Sequence, residues 1–126
     1  MSSSRFLRGL AAASILPLAM LAAPAAFAHA HLKSQVPAAD SVAAAAPNTI
    51  ELHFSEGVEP AFTGISLQGP GNAAVKLGKP AVDAHDKALL RVPVQGPMPA
   101  GRYVVDWHAV AVDGHKTKGQ YSFSVK

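Results

Sequence analysis

The sequence predicts an all-β domain, an antiparallel β-sandwich of immunoglobulin-like topology with about seven strands. Three observations carry this. Several runs of five to eight residues alternate apolar with polar, as a strand with one buried face does. Gly, Pro, Asn and Asp separate the runs at regular intervals. No stretch after the first thirty or so residues has the 3.6-residue periodicity of an amphipathic helix. A small closed barrel would share these features and is the alternative architecture.

The chain opens with a different kind of sequence. Residues 2–8 carry Arg5 and Arg8 and no acid. Residues 9–23 are an Ala/Leu-rich run broken only by Ser14 and Pro17, and Ala26-Phe27-Ala28 places small residues three and one before a cut. These are the n, h and c regions of a secretory signal, so residues 1–28 are read as a cleaved leader and 29–126 as one domain. The apolar run is short for a membrane span and is punctuated by Pro17 and Pro24. Ala28-His29-Ala30 also fits the small-x-small rule, and a cut there would leave His31 first. Either cut exposes an N-terminal histidine.

Taken in order, residues 31–36 form an edge strand ended by Pro37, followed by a loop with turn chemistry at Asp40-Ser41. Ile50, Leu52 and Phe54 alternate with Glu51 and His53 in the next strand, and residues 55–60 form an acidic turn. Ile65 and Leu67 mark a third strand, which Gly69-Pro70-Gly71-Asn72 breaks. Residues 73–77 and 89–94 are expected to be two further short strands flanking the polar loop 83–87. Pro97, Pro99 and Gly101 launch the strand of residues 103–110, with Tyr103, Val105 and Trp107 inward. Tyr121, Phe123 and Val125 share the inner face of the last strand.

Composition excludes several functions. There is no cysteine, hence no disulfide, thiolate metal site or cysteine nucleophile. The chain has eleven basic residues against eight acids, but two of the basic ones, Arg5 and Arg8, are in the leader, so residues 29–126 carry about +1 and no nucleic-acid footprint. All six histidines lie at or after position 29. Imidazole is the commonest transition-metal ligand, so their positions matter.

Asp113-Gly114-His115 falls in the turn between the last two strands. In extended backbone, side chains at i and i+2 point the same way, so a carboxylate and an imidazole can approach one ion. On this spacing alone, the commoner role of such an aspartate is to cap turn N–H groups beside an exposed histidine. Cleavage at residue 28 would add the amine and ring of His29, giving three nitrogens and one oxygen. Such a set suits Cu(II), with Ni(II) and Zn(II) as weaker fits. His31 offers a second mode, in which the amine, two backbone nitrogens and the ring of the third residue wrap the metal without any fold. Both modes use the same amine and exclude each other. Glu56, in the turn after the second strand, reads as a solvated turn acid or as the source of an axial or outer oxygen. His53 and His108, on strands, and His85, in a polar loop, are expected to have cross-strand or surface roles. Tyr103 and Trp107 read as core.

These residues resemble the CopC family of periplasmic copper-resistance proteins. The matching features are His29-Ala30-His31-Leu32, Leu52-His53-Phe54-Ser55-Glu56, Tyr103-Val104-Val105-Asp106-Trp107-His108, Val112-Asp113-Gly114-His115 and Tyr121-Ser122-Phe123-Ser124-Val125. The resemblance implies a Greek-key sandwich, a periplasmic location and one Cu(II) held by His29, Asp113 and His115, with Glu56 approaching the metal in some relatives. It also implies a non-enzymatic copper carrier or buffer that serves an inner-membrane copper transporter. Residues 69–82 lack the methionines of the family's Cu(I) site, so no such site is expected. A monomer is expected. The competing functions are a copper oxygenase with a histidine brace, in which Asp113 would fill the position needed for oxygen, and an interaction β-sandwich with incidental histidines.

Overall fold

The computed structural model describes residues 30–126, so the leader and His29 lie outside the described residues. Eight strands make two four-stranded sheets. The first has the order β1-β3-β6-β5, from β1 (Leu32–Val36), β3 (Thr49–Phe54), β6 (Leu89–Pro93) and β5 (Ala81–Val82). The second has the order β2-β8-β7-β4, from β2 (Val42–Ala43), β8 (Lys116–Val125), β7 (Gly101–Val110) and β4 (Gly64–Gln68). All pairings are antiparallel except β2 with β8. Each sheet keeps its own edges, with β1 at one of them, which makes this a sandwich rather than a closed barrel.

The alternation in the sequence becomes the core. Ile50, Leu52 and Phe54 of β3 and Leu90 and Val92 of β6 face Leu67 of β4, Tyr103, Val105 and Ala109 of β7, and Tyr121, Phe123 and Val125 of β8. Tyr103 lies opposite Phe123 with ring centroids 5.6 Å apart and nearly parallel planes. Its hydroxyl donates to the carbonyl of Pro99 at 2.5 Å, tying the loop before β7 to the core. Phe54 meets Trp107 edge-on at 5.5 Å, joining the two sheets near one end.

Three features differ from the sequence reading. Residues 73–77 are not a regular strand. They cross between the sheets, bridging Ala74 to Gln68 of β4 and Leu77 to Val94 just beyond β6, so neither ladder propagates. The loop after β1 contains the two-residue β2, while its turn forms as expected, with Asp40 at φ 59° and the Ser41 hydroxyl donating to the Ala38 carbonyl. Trp107 is inward but only partly buried, because its cross-strand neighbours Ile65 and Gly119 cap the core incompletely at that end.

Candidate metal centre

The longest hairpin, β7–β8, delivers the Asp113-Gly114-His115 turn to one end of the sandwich. The turn closes through Ala111 N–H to the His115 carbonyl at 2.9 Å and Gly114 N–H to the Ala111 carbonyl at 2.8 Å. Gly114 sits at φ 91°, a conformation that disfavours residues with a Cβ. Asp113 turns both carboxylate oxygens onto His115. Oδ1 accepts the His115 N–H at 3.0 Å and Oδ2 lies 2.9 Å from the ring Nδ1. The carboxylate and imidazole that share parity in the sequence therefore do meet. The pair is exposed at the surface, and such contacts are worth about 0–1 kcal/mol, so a stronger partner can replace the ring bond cheaply.

The segment after β3 buttresses this turn. Val112 N–H donates to the Gly57 carbonyl at 3.0 Å, Glu59 N–H donates to the Val110 carbonyl at 2.8 Å, and Val58 bridges Ala111. The same segment holds the N-terminal arm. His31 N–H donates to Ser55 Oγ at 2.8 Å, and Ser55 N–H returns to the His31 carbonyl at 2.8 Å. From the other sheet, Thr117 Oγ1 donates to the Ala30 carbonyl at 2.9 Å. Ala30 is fully buried in the core cluster. Thr117 follows His115 by two residues, about 6.7 Å of strand. The arm thus approaches the end of the sandwich that carries Asp113 and His115.

Glu56 lies between the two attachments, since Ser55 binds the arm and Gly57 binds the turn. Its Oε1 is buried and has no hydrogen-bond partner among the described residues. A carboxylate oxygen left in that state is costly unless something positive completes it. The His31 side chain is exposed. Among the described residues, no three of His, Asp and Glu converge on one point, so Asp113 and His115 come together there while His31 and Glu56 do not form a cluster with them.

The other histidines have separate surroundings. His53 Nε2, on β3, lies 3.0 Å from Asp86 Oδ2 in the loop between β5 and β6. His85 N–H donates to Asp83, which pairs with Arg91 at 2.6 Å, and Arg91 also binds Glu51 at 3.1 Å. The Arg91 guanidinium holds the Asp83 carboxyl below the usual carboxylate range. His108 is exposed on β7. The anchoring roles of Ser55 and Thr117 are absent from the sequence reading. Thr117 carried a signal for its role, a hydroxyl on the parity of β8 that otherwise points inward.

Residues 32–126 match the CopC domain family. The chain is 49% identical over 106 residues to Protein YobA of Escherichia coli strain K12, covering 84% of this chain and 86% of that one. It is 42% identical over 116 residues to Copper resistance protein C of Escherichia coli, covering 86% and 90% respectively. The crystal structure of PcoC from Escherichia coli, described as a methionine-rich copper resistance protein, superposes with a TM-score of 0.70 at 41% identity, covering 79% of this chain and all of that one.

Proposed function

Because the chain belongs to the CopC domain family, we propose that it is an exported, periplasmic Cu(II) carrier or buffer without catalytic activity, its ion held between the N-terminal arm and the Asp113–His115 turn. One observation carries this reading. The Ala30–His31 segment is hydrogen-bonded to Thr117 on one side and Ser55 on the other, so a residue 29 freed by cleavage starts beside the turn. Consecutive Cα atoms are about 3.8 Å apart, which leaves the amine and ring of His29 within a short reach of His115.

The donor set fits the ion. An amine and two imidazoles with the Asp113 carboxylate make the mixed nitrogen and oxygen environment that Cu(II) favours. The orphaned oxygen of Glu56 is a further donor at the same end. Met98, the one methionine after residue 28, is buried in the core, which supports a single Cu(II) site without a thioether site for Cu(I). Cleavage after Ala28 fits the fold better than cleavage after Ala30, because the latter removes a buried residue together with the acceptor of the Thr117 hydroxyl. As a carrier, a monomer of this protein would deliver the ion to an inner-membrane copper transporter, and as a buffer it would retain it.

Mass spectrometry of the exported protein should find His29 first. Calorimetric titration with Cu(II) should then show one ion per chain. Asp113→Ala, His115→Ala and an N-terminal extension should each weaken binding by more than about tenfold, which is about 1.4 kcal/mol. Unchanged affinity in the extended form defeats the proposal.

A further inference from the structure

His29-Ala30-His31 contains two competing copper ligand sets, and the fold treats them unequally. In the wrapped mode, the peptide nitrogens of Ala30 and His31 and the ring of His31 surround the ion with the amine. Both peptide nitrogens must then exchange their hydrogens for the metal, the two protons passing to buffer, and the His31 nitrogen must leave any other partner. In the structure the Ala30–His31 peptide unit is held at both polar atoms. Its carbonyl accepts from Thr117 Oγ1 at 2.9 Å and its N–H donates to Ser55 Oγ at 2.8 Å. The N–H and C=O of a trans peptide point to opposite sides, and here one hydroxyl follows β3 of the first sheet while the other lies on β8 of the second. The next carbonyl, that of His31, is bound by the Ser55 N–H at 2.8 Å.

Resting on the copper reading above, we infer that Ser55 and Thr117 are positioning residues that set the copper geometry of this protein. By fixing one peptide unit they keep the His31 nitrogen and ring away from the ion and reserve the N-terminal amine for Asp113 and His115. Without the clamp the arm is free to wrap, and copper passes into a fold-independent complex that uses His31.

The test uses the full processed protein beginning at His29, loaded with one equivalent of Cu(II). Visible absorption and electron paramagnetic resonance separate the modes, because replacing a carboxylate oxygen with a peptide nitrogen strengthens the ligand field and moves the visible band to shorter wavelength. In the parent protein, His31→Ala should leave both spectra unchanged. Combining Ser55→Ala with Thr117→Val should shift the band to shorter wavelength, and adding His31→Ala should abolish that shift. Thr117→Ser, which keeps the hydroxyl, should retain the parent spectrum. Fluorescence of Trp107 reports whether each variant is folded, and Ser55→Ala alone, at an exposed position, provides a milder arm. Without metal, the His31 amide should exchange slowly in the parent and faster in Ser55→Ala. A parent spectrum that depends on His31, or a clamp variant that keeps the parent spectrum, overturns the inference. If Asp113→Ala and His115→Ala leave the parent spectrum unchanged, the copper reading itself fails, a result separable from failure of the clamp.

Discussion

Replacing Gly119 with alanine should destabilise the fold by an amount that can be worked from the geometry. Gly119 lies opposite Trp107 in the β7–β8 ladder, and the indole covers it. A Cβ there would stand 2.6 Å from Cζ2, 2.7 Å from Cε2 and 2.8 Å from Nε1. Optimal carbon contacts lie at about 3.5–4.0 Å, so the ring must retreat by about 1 Å. It cannot do so freely, because the indole also meets Phe54 edge-on. Overpacking of this kind costs about 1–3 kcal/mol, and disturbing the aromatic pair adds about 0.5–1.5 kcal/mol. Losing a strand glycine returns about 0.5–1 kcal/mol. The net loss is about 0.5–4 kcal/mol, and each kcal/mol lowers the melting temperature of a domain of this size by about 4–8 °C. Urea unfolding followed by fluorescence of the single tryptophan measures it directly. In a Trp107→Leu background the same substitution should be neutral or stabilising, since the clash is gone. A midpoint equal to or above the parent's for Gly119→Ala alone refutes this account of the packing.

Three further outcomes are expected. Burial raises the hydroxyl pKa of both tyrosines, Tyr103 and Tyr121, so the stability they contribute is complete below the ordinary tyrosine range and is lost as pH climbs above it; phenolate absorbance should appear with cooperative unfolding rather than as a simple titration near pH 10. Asp83 has a lowered pKa, so its contribution is present above the ordinary carboxylate range and disappears as acid protonates it; Asp83→Asn should melt slightly below the parent at neutral pH and converge with it in acid, and a constant gap across pH would contradict this. Copper should raise the melting temperature of the processed protein, by about 2.7 kcal/mol of added stability at a free concentration one hundred times Kd, and an N-terminally extended form should gain far less.

The strands that were legible in the sequence are those with one wet face. Ile50, Leu52 and Phe54, and likewise Tyr121, Phe123 and Val125, alternate cleanly because each packs toward one core. Residues 73–77 have Val75 and Leu77 at strand spacing, yet both are only partly buried on a crossover, a placement that periodicity cannot separate from a ladder. The two residues of β2 carry no pattern, since β8 supplies their pairing. Asp113 and His115 were legible as a pair because a single residue separates them, although a tight turn with Gly114 at φ 91°, rather than extended parity, is what brings them together. The arm's attachments were not, because Ser55 is 24 residues and Thr117 is 87 residues away from the groups they bind.

The direction of β8 has a practical side. The strand leaves the Asp113–His115 turn at Lys116 and ends at Val125, nine residues on, or about 30 Å at ordinary strand rise. An affinity tag, dye or surface tether fused after the last strand therefore sits at the pole opposite the proposed copper end and leaves it facing solution. The same addition at the front of the processed chain would occupy the amine. For electrodes, biosensors or pull-down supports, the orientation in which this protein can be mounted is written into the course of its last strand.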